Sequence, residues 1–62
     1  MWTVVYMTKN EEYISSLRAK LKDNKIMVMV RKVDDFFEVL VPGAEMQEAH
    51  TVIIESEIKG RT

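Results

Sequence analysis

The stretch IMVMVRKVDDFFEVLV, residues 26–41, decides the fold. It reads as two β-strands, Ile26 to Val33 and Phe36 to Val41, joined at Asp34-Asp35. Both strands are rich in β-branched, aromatic and other apolar residues, and both carry apolar side chains on their two faces. Asp-Asp is a weaker hairpin signal than Asp-Gly, because aspartate takes a positive φ less readily than glycine, so a longer loop also fits. With a two-residue turn, Val33 stands opposite Phe36, Arg31 opposite Glu38 and Met29 opposite Leu40. Val30 then faces Val39, and Val28 faces Val41, on the other side of the hairpin. This register keeps Val28, Val30, Phe37, Val39 and Val41 as a purely apolar face and lets Arg31 meet Glu38. A slip of one residue would break both features.

Outward from the hairpin, Trp2 to Met7 reads as another strand. Asn10, or Thr8, can cap a helix start, with Glu11 and Glu12 at its positive end. Ile14, Leu17 and Leu21 then recur at helical spacing. Asp23-Asn24-Lys25 ends that helix, and Asn24 tolerates a left-handed cap. Pro42-Gly43 stops the third strand. A second helix follows, with Met46, Ala49, Val52, Ile53 and Ser56 as its inner stripe and Ile54 and Ile58 off it. Residues 1–58 form one domain, and residues 59–62 read as a frayed tail.

The order is β-α-β-β-α. The helical crossover makes the first two strands parallel, and the third inserts between them. The expected fold is an α+β two-layer sandwich with sheet order 1-3-2 and both helices on one face. It is ferredoxin-like and lacks the last strand. The helices cover one face only. The other is expected to hold Trp2, Val4, Tyr6, Met27, Met29, Phe36 and Leu40 around Arg31 and Glu38. An apolar patch contiguous across three strands marks an interaction surface more often than scattered exposure. The missing strand leaves Trp2 to Met7 as a free edge.

Composition narrows the function. In 62 residues there is no cysteine and a single histidine, with 9 basic and 10 acidic side chains. A domain this small leans on disulfides, metal or oligomerisation. The first is excluded and neither thiolates nor paired histidines are present for the second, so no metal and no cofactor is expected. Two glycines, Gly43 and Gly60, make neither a P-loop nor a dinucleotide fingerprint. His50 reads as a solvated or edge-of-core histidine. The acidic residues Glu11, Glu12, Asp34, Asp35, Glu45, Glu48, Glu55 and Glu57 fall at helix starts, in a turn and on a helix, so no catalytic pair is assigned. The start of the chain lacks a basic leader, and no apolar run could span a bilayer, so a cytoplasmic protein off the membrane is expected.

Trp2-Thr3-Val4-Val5-Tyr6, the Ile26-x-Val28-x-Val30 strand, Phe37-Glu38-Val39-Leu40-Val41-Pro42 and Glu45-x-x-Glu48-Ala49-His50-x-x-Ile53 together resemble a family of very short bacterial proteins. That family is similar to the prokaryotic signal-transducing domains of the PII-like, ferredoxin-like class. The resemblance spans nearly the whole chain and implies the fold. It carries no catalytic residue over. The long partner-contacting loop of PII proteins has no counterpart here, so their nucleotide and 2-oxoglutarate binding does not follow.

The expectation is a non-enzymatic interaction or regulatory domain working as a homodimer through its open face or its first-strand edge, with another protein partner or a small ligand as further possibilities. A metabolite-binding module with its ligand at a dimer cleft near Arg31 and Glu38 is the alternative. Single-stranded nucleic acid stacked on Trp2, Tyr6 and Phe36 beside Arg31 ranks below both, because of the interleaved aliphatic residues, Glu38 and a net charge of −1, and an enzyme comes last, since no nucleophile-base pair, metal set or cofactor motif is present.

Overall fold

A computed structural model describes residues 1–59. The elements are β1 (Trp2–Thr8), α1 (Glu11–Asp23), β2 (Met29–Val33), β3 (Phe36–Pro42), a short 3-10 turn (Gly43–Glu45) and α2 (Met46–Lys59). The sheet has order β1-β3-β2, with β3 antiparallel to both neighbours. The fold is therefore the expected α+β sandwich, ferredoxin-like without a final strand. α2 reaches Lys59, and the rest of the expected tail lies outside the described residues.

The hairpin register is the expected one. Met29 opposes Leu40, Val30 opposes Val39, Arg31 opposes Glu38 and Val33 opposes Phe36. The turn needs only Asp34-Asp35. Asp34 takes a positive φ of 53° while Asp35 does not.

β2 is shorter than expected, and Pro42 supplies the reason. The Gly43 N–H donates to the Met1 carbonyl at 2.8 Å. In an antiparallel ladder, bonded and non-bonded pairs alternate. With Trp2 opposite Pro42 and Thr3 opposite Val41, the bonds between β1 and β3 fall at Met1/Gly43 and Thr3/Val41. Pro42 then turns toward β2, where Met27 would lie opposite it, and proline has no N–H to give. The Met27 N–H instead donates to Glu45 Oε2 at 3.2 Å. Ile26, Met27 and Val28 consequently lie outside the ladder.

Asn10 caps α1, its side chain accepting from the Tyr13 N–H at 3.0 Å. Thr8 supports the cap by accepting from the Asn10 N–H. At the other end the left-handed residue is Lys25, φ 61°, and not Asn24. The Ile26 N–H reaches the Leu21 carbonyl, and the Lys25 N–H reaches that of Lys22. This is a Schellman motif, closed by contact between the buried side chains of Leu21 and Ile26. Ile26 must enter the core at that point, which forces the preceding residue to make the left-handed turn. Asn24 helps otherwise, donating its Nδ2 to the Lys20 carbonyl.

The core lies between the helices and one face of the sheet. Ile14, Leu17 and Leu21 of α1, with Ala49 and Ile53 of α2, pack on Val39 and Val41, and Ile26 joins them. Val28, Val30 and Phe37 border this cluster, as the register requires. Ser56 is buried and accepts from Lys20 Nζ at 2.8 Å, tying the two helices together. Met46 departs from the expected inner stripe: as the first residue of α2 it sits at the rim and stays partly exposed.

β1 holds the main surprise. Its register shifts between Val4 and Tyr6, so that Leu40 faces Val4 but Val39 faces Tyr6. Val5 is the extra residue of a β-bulge, and everything beyond it changes face.

Lys25 and Asp34 both hold a backbone conformation that suits glycine better. Lys25→Gly and Asp34→Gly should each stabilise the fold by about 0.5–1 kcal/mol, raising Tm by roughly 2–8 °C in a domain of this size. Thermal denaturation followed by circular dichroism measures this.

Candidate functional site

The sheet face opposite the helices carries the candidate site. Three rows of side chains build it. β3 contributes Phe36, Glu38, Leu40 and Pro42. β2 contributes Met29, Arg31 and Val33. β1 contributes Trp2, Val4 and, beyond the bulge, Met7.

Leu40 stands at the centre, between Val4 and Met29, and is only 3% exposed. Its burial comes from neighbours on the face itself, since both helices pack on the other side. Beside it Val4 is 38% and Met29 36% exposed, and further along the same face Trp2 is 42% and Phe36 39% exposed. Met7 and Val33 are exposed as well. In the sheet of this one chain, these large apolar groups meet water.

The charges on the face are few. Arg31 Nε donates to Glu38 Oε1 at 2.7 Å, the expected cross-strand pair. Glu38, in the central strand, is 12% exposed, and Arg31, on the flanking strand, is 55% exposed. Lys9, from the β1–α1 connection, places its Nζ 5.1 Å from the centre of the Phe36 ring, within cation–π range.

Of the expected set, the structure brings together Trp2, Val4, Met29, Arg31, Phe36, Glu38 and Leu40. It removes Tyr6. The bulge turns Tyr6 onto the helix face, where its ring lies 5.3 Å from that of Tyr13 beside the core. Met27 is exposed but lies outside the ladder, which therefore does not hold it to the face. Met7, Val33 and Lys9 belong to the site and were missed. Val33 was legible, because the hairpin register sets it opposite Phe36. Met7 was not, because nothing in Val4-Val5-Tyr6 marks a bulge.

Elsewhere the described residues line shallow hollows. Hollows of about 210 and 230 Å³ lie along the join of α1 and α2, sharing Asn24, Val52 and Glu55. A third of about 270 Å³ sits on α1 at Ser15, Arg18, Ala19 and Lys22. All fall below the roughly 300 Å³ at which ligand pockets begin, and none includes Arg31 or Glu38. Among the described residues no group of three or more histidine, aspartate or glutamate side chains could hold a metal ion, and no helix is long and apolar enough to cross a membrane. His50 is exposed on α2.

The phenol of Tyr13 has a displaced titration. Burial, then the neighbouring Tyr6 and the charge of Glu57, push its phenol up to about 12. The Tyr6 and Ser56 hydroxyls lie near, but none makes a hydrogen bond of good geometry with it, and among the described residues the buried Tyr13 hydroxyl has no partner. Comparisons of the chain with protein-family models, with curated proteins and with solved structures find no match.

Two outcomes follow from this geometry. A double-mutant cycle of Arg31→Ala and Glu38→Ala, read by urea unfolding, should give a coupling of about 0.5 kcal/mol, because the pair is cross-strand but half open to solvent. Tyr13 is neutral in the folded state at a pH where the unfolded phenol, with its ordinary value near 10, has already ionised. Its stabilising contribution is whole below about pH 10 and is lost as pH rises toward 12. Tyr13→Phe should therefore flatten the alkaline limb of a stability profile.

Proposed function

We propose that this protein is a small non-enzymatic interaction domain that self-associates by burying its open sheet face against the same face of a second copy. One observation carries the reading. Trp2, Val4 and Met29 flank Leu40, and Met7, Phe36 and Val33 extend the same apolar face past Arg31–Glu38, the only charges contributed by its strands. Patches larger than a few hundred Å² on a soluble chain mark contact sites.

A second copy is the occupant that the charges favour. Arg31 and Glu38 lie side by side near the centre of the face. A two-fold axis running along the strands, between two such faces and beneath this pair, sets each arginine toward the other chain's glutamate, so that the same patch is complementary to itself. Sheets packed in this way stand about 10 Å apart with interdigitated side chains, which suits the methionines and aromatics here. The size of the chain points the same way, since a domain of about 60 residues buries only about 60% of the surface its unfolded chain exposes. A regulatory role, as the resemblance to signal-transducing domains implies, would act through this association.

Light scattering should show a particle at least twice the mass of one chain. Met29→Glu sets a carboxylate beside Leu40 and should weaken association at least about tenfold, since an unpaired charge is forced into an apolar contact. Val33→Lys, at the rim, should do so less strongly while keeping the native circular dichroism. A wild-type monomer at high concentration, or full association in both variants, would overturn the reading.

A further inference from the structure

We infer that the outer edge of β1 is a second self-association surface, which pairs antiparallel with β1 of another copy and joins two open faces into one. This rests on the face reading above and adds to it.

The two edges of the sheet differ. β2 is the shorter and carries Arg31 and Lys32, the kind of charge that keeps an edge from pairing. β1 runs for seven residues, Trp2–Thr8, without a charge or a proline. No strand among the described residues lies against its outer side.

The hydrogen-bond phase shows which groups are free there. Because the Gly43 N–H donates to Met1 and Thr3 stands opposite Val41, Trp2 and Val4 turn their N–H and C=O groups outward. The bulge at Val5 ends this alternation, so the pairing half of the edge is Met1 to Val5. A two-fold axis at Thr3 sets Trp2 of each chain opposite Val4 of the other. It is the register in which outward residues meet outward residues at both positions. The bonded pairs would also be aromatic against β-branched, a favourable cross-strand match.

The occupant follows from continuity with the face. Trp2 and Val4 project onto the open side, and an axis normal to the sheet keeps both open faces on the same side. Edge pairing therefore yields a six-stranded sheet with a continuous apolar surface. Face packing about the Arg31–Glu38 pair has its axis away from Thr3, so the two contacts together link such sheets into an assembly larger than a dimer, in which each copy uses both surfaces.

Amide hydrogen exchange on the intact protein tests this, with molar mass measured alongside. The Trp2 and Val4 amides should exchange about tenfold or more slowly as the protein is concentrated into its associated form. Val4→Pro removes an outward N–H without touching the β1–β3 ladder, as proline is tolerated on that side of an edge. Val4 also lies on the open face, so Val4→Ala, which trims the side chain and keeps the N–H, is the control. Val4→Pro should reduce the wild-type particle to a dimer, as should Met29→Glu, while Val4→Ala should keep its mass and the double variant Val4→Pro/Met29→Glu should be monomeric. Free exchange at Trp2 and Val4 in the associated wild type would overturn the inference. So would protection independent of concentration, which would mean that the chain covers its own edge, or an unchanged mass in a folded Val4→Pro variant. If that variant fails to fold, the exchange result decides. The face reading fails separately, if Met29→Glu keeps the wild-type mass.

Discussion

Both neighbours of β3 are registered on it, and the rest of the molecule follows from that double pairing. β3 has large apolar residues on consecutive positions, Phe36-Phe37 and Val39-Leu40-Val41. Its odd-numbered residues turn to the helices and its even-numbered residues turn away. One side receives α1 and α2 and becomes the core. The other keeps Leu40 covered only by β1 and β2, and so becomes a surface that water covers poorly. A central strand with apolar residues on both sides suits a sheet covered on both sides, as the proposed self-association would make it. Two helices on one face supply half of that.

The ends of β3 set the limits of its partners. Pro42 has no N–H for β2, so the ladder stops at Met29 and the chain before it is tied down by Glu45 instead. At the other end Asp34 accepts a positive φ so that two residues suffice to reverse the chain. The Schellman motif at Lys25 has the same character. A backbone conformation that lysine takes at some cost is tolerated because it delivers Ile26 to the core. In each case a local preference yields to the demand that a buried residue meet its partners.

The parts of the fold legible from sequence were those where two kinds of pattern agreed. The hairpin register was legible because charge pairing and apolar alternation chose the same alignment. The helices were legible because a capping asparagine preceded a clean run of Ile14, Leu17 and Leu21. β1 was only half legible. Apolar residues at nearly every position mean that a bulge at Val5 leaves no mark in the alternation, and so Tyr6 and Met7 exchanged faces unnoticed. The left-handed residue was placed one position early, at Asn24, because asparagine is the better intrinsic choice and only the approach of Ile26 selects Lys25. For the site, this means that the β2–β3 half of the face could be read from the sequence, while the β1 half needed the structure.

The central claim is that a second copy covers the open face. Intermolecular nuclear Overhauser effects in an equal mixture of isotope-labelled and unlabelled chain test it most directly. The account expects cross-chain contacts from the Met29 methyl and the Phe36 ring, with none from the buried core residues Leu17 and Val39. An associated sample whose cross-chain contacts arise only from the outer helix residues Ile54 and Ile58, or a sample with no cross-chain contacts at all, would contradict it.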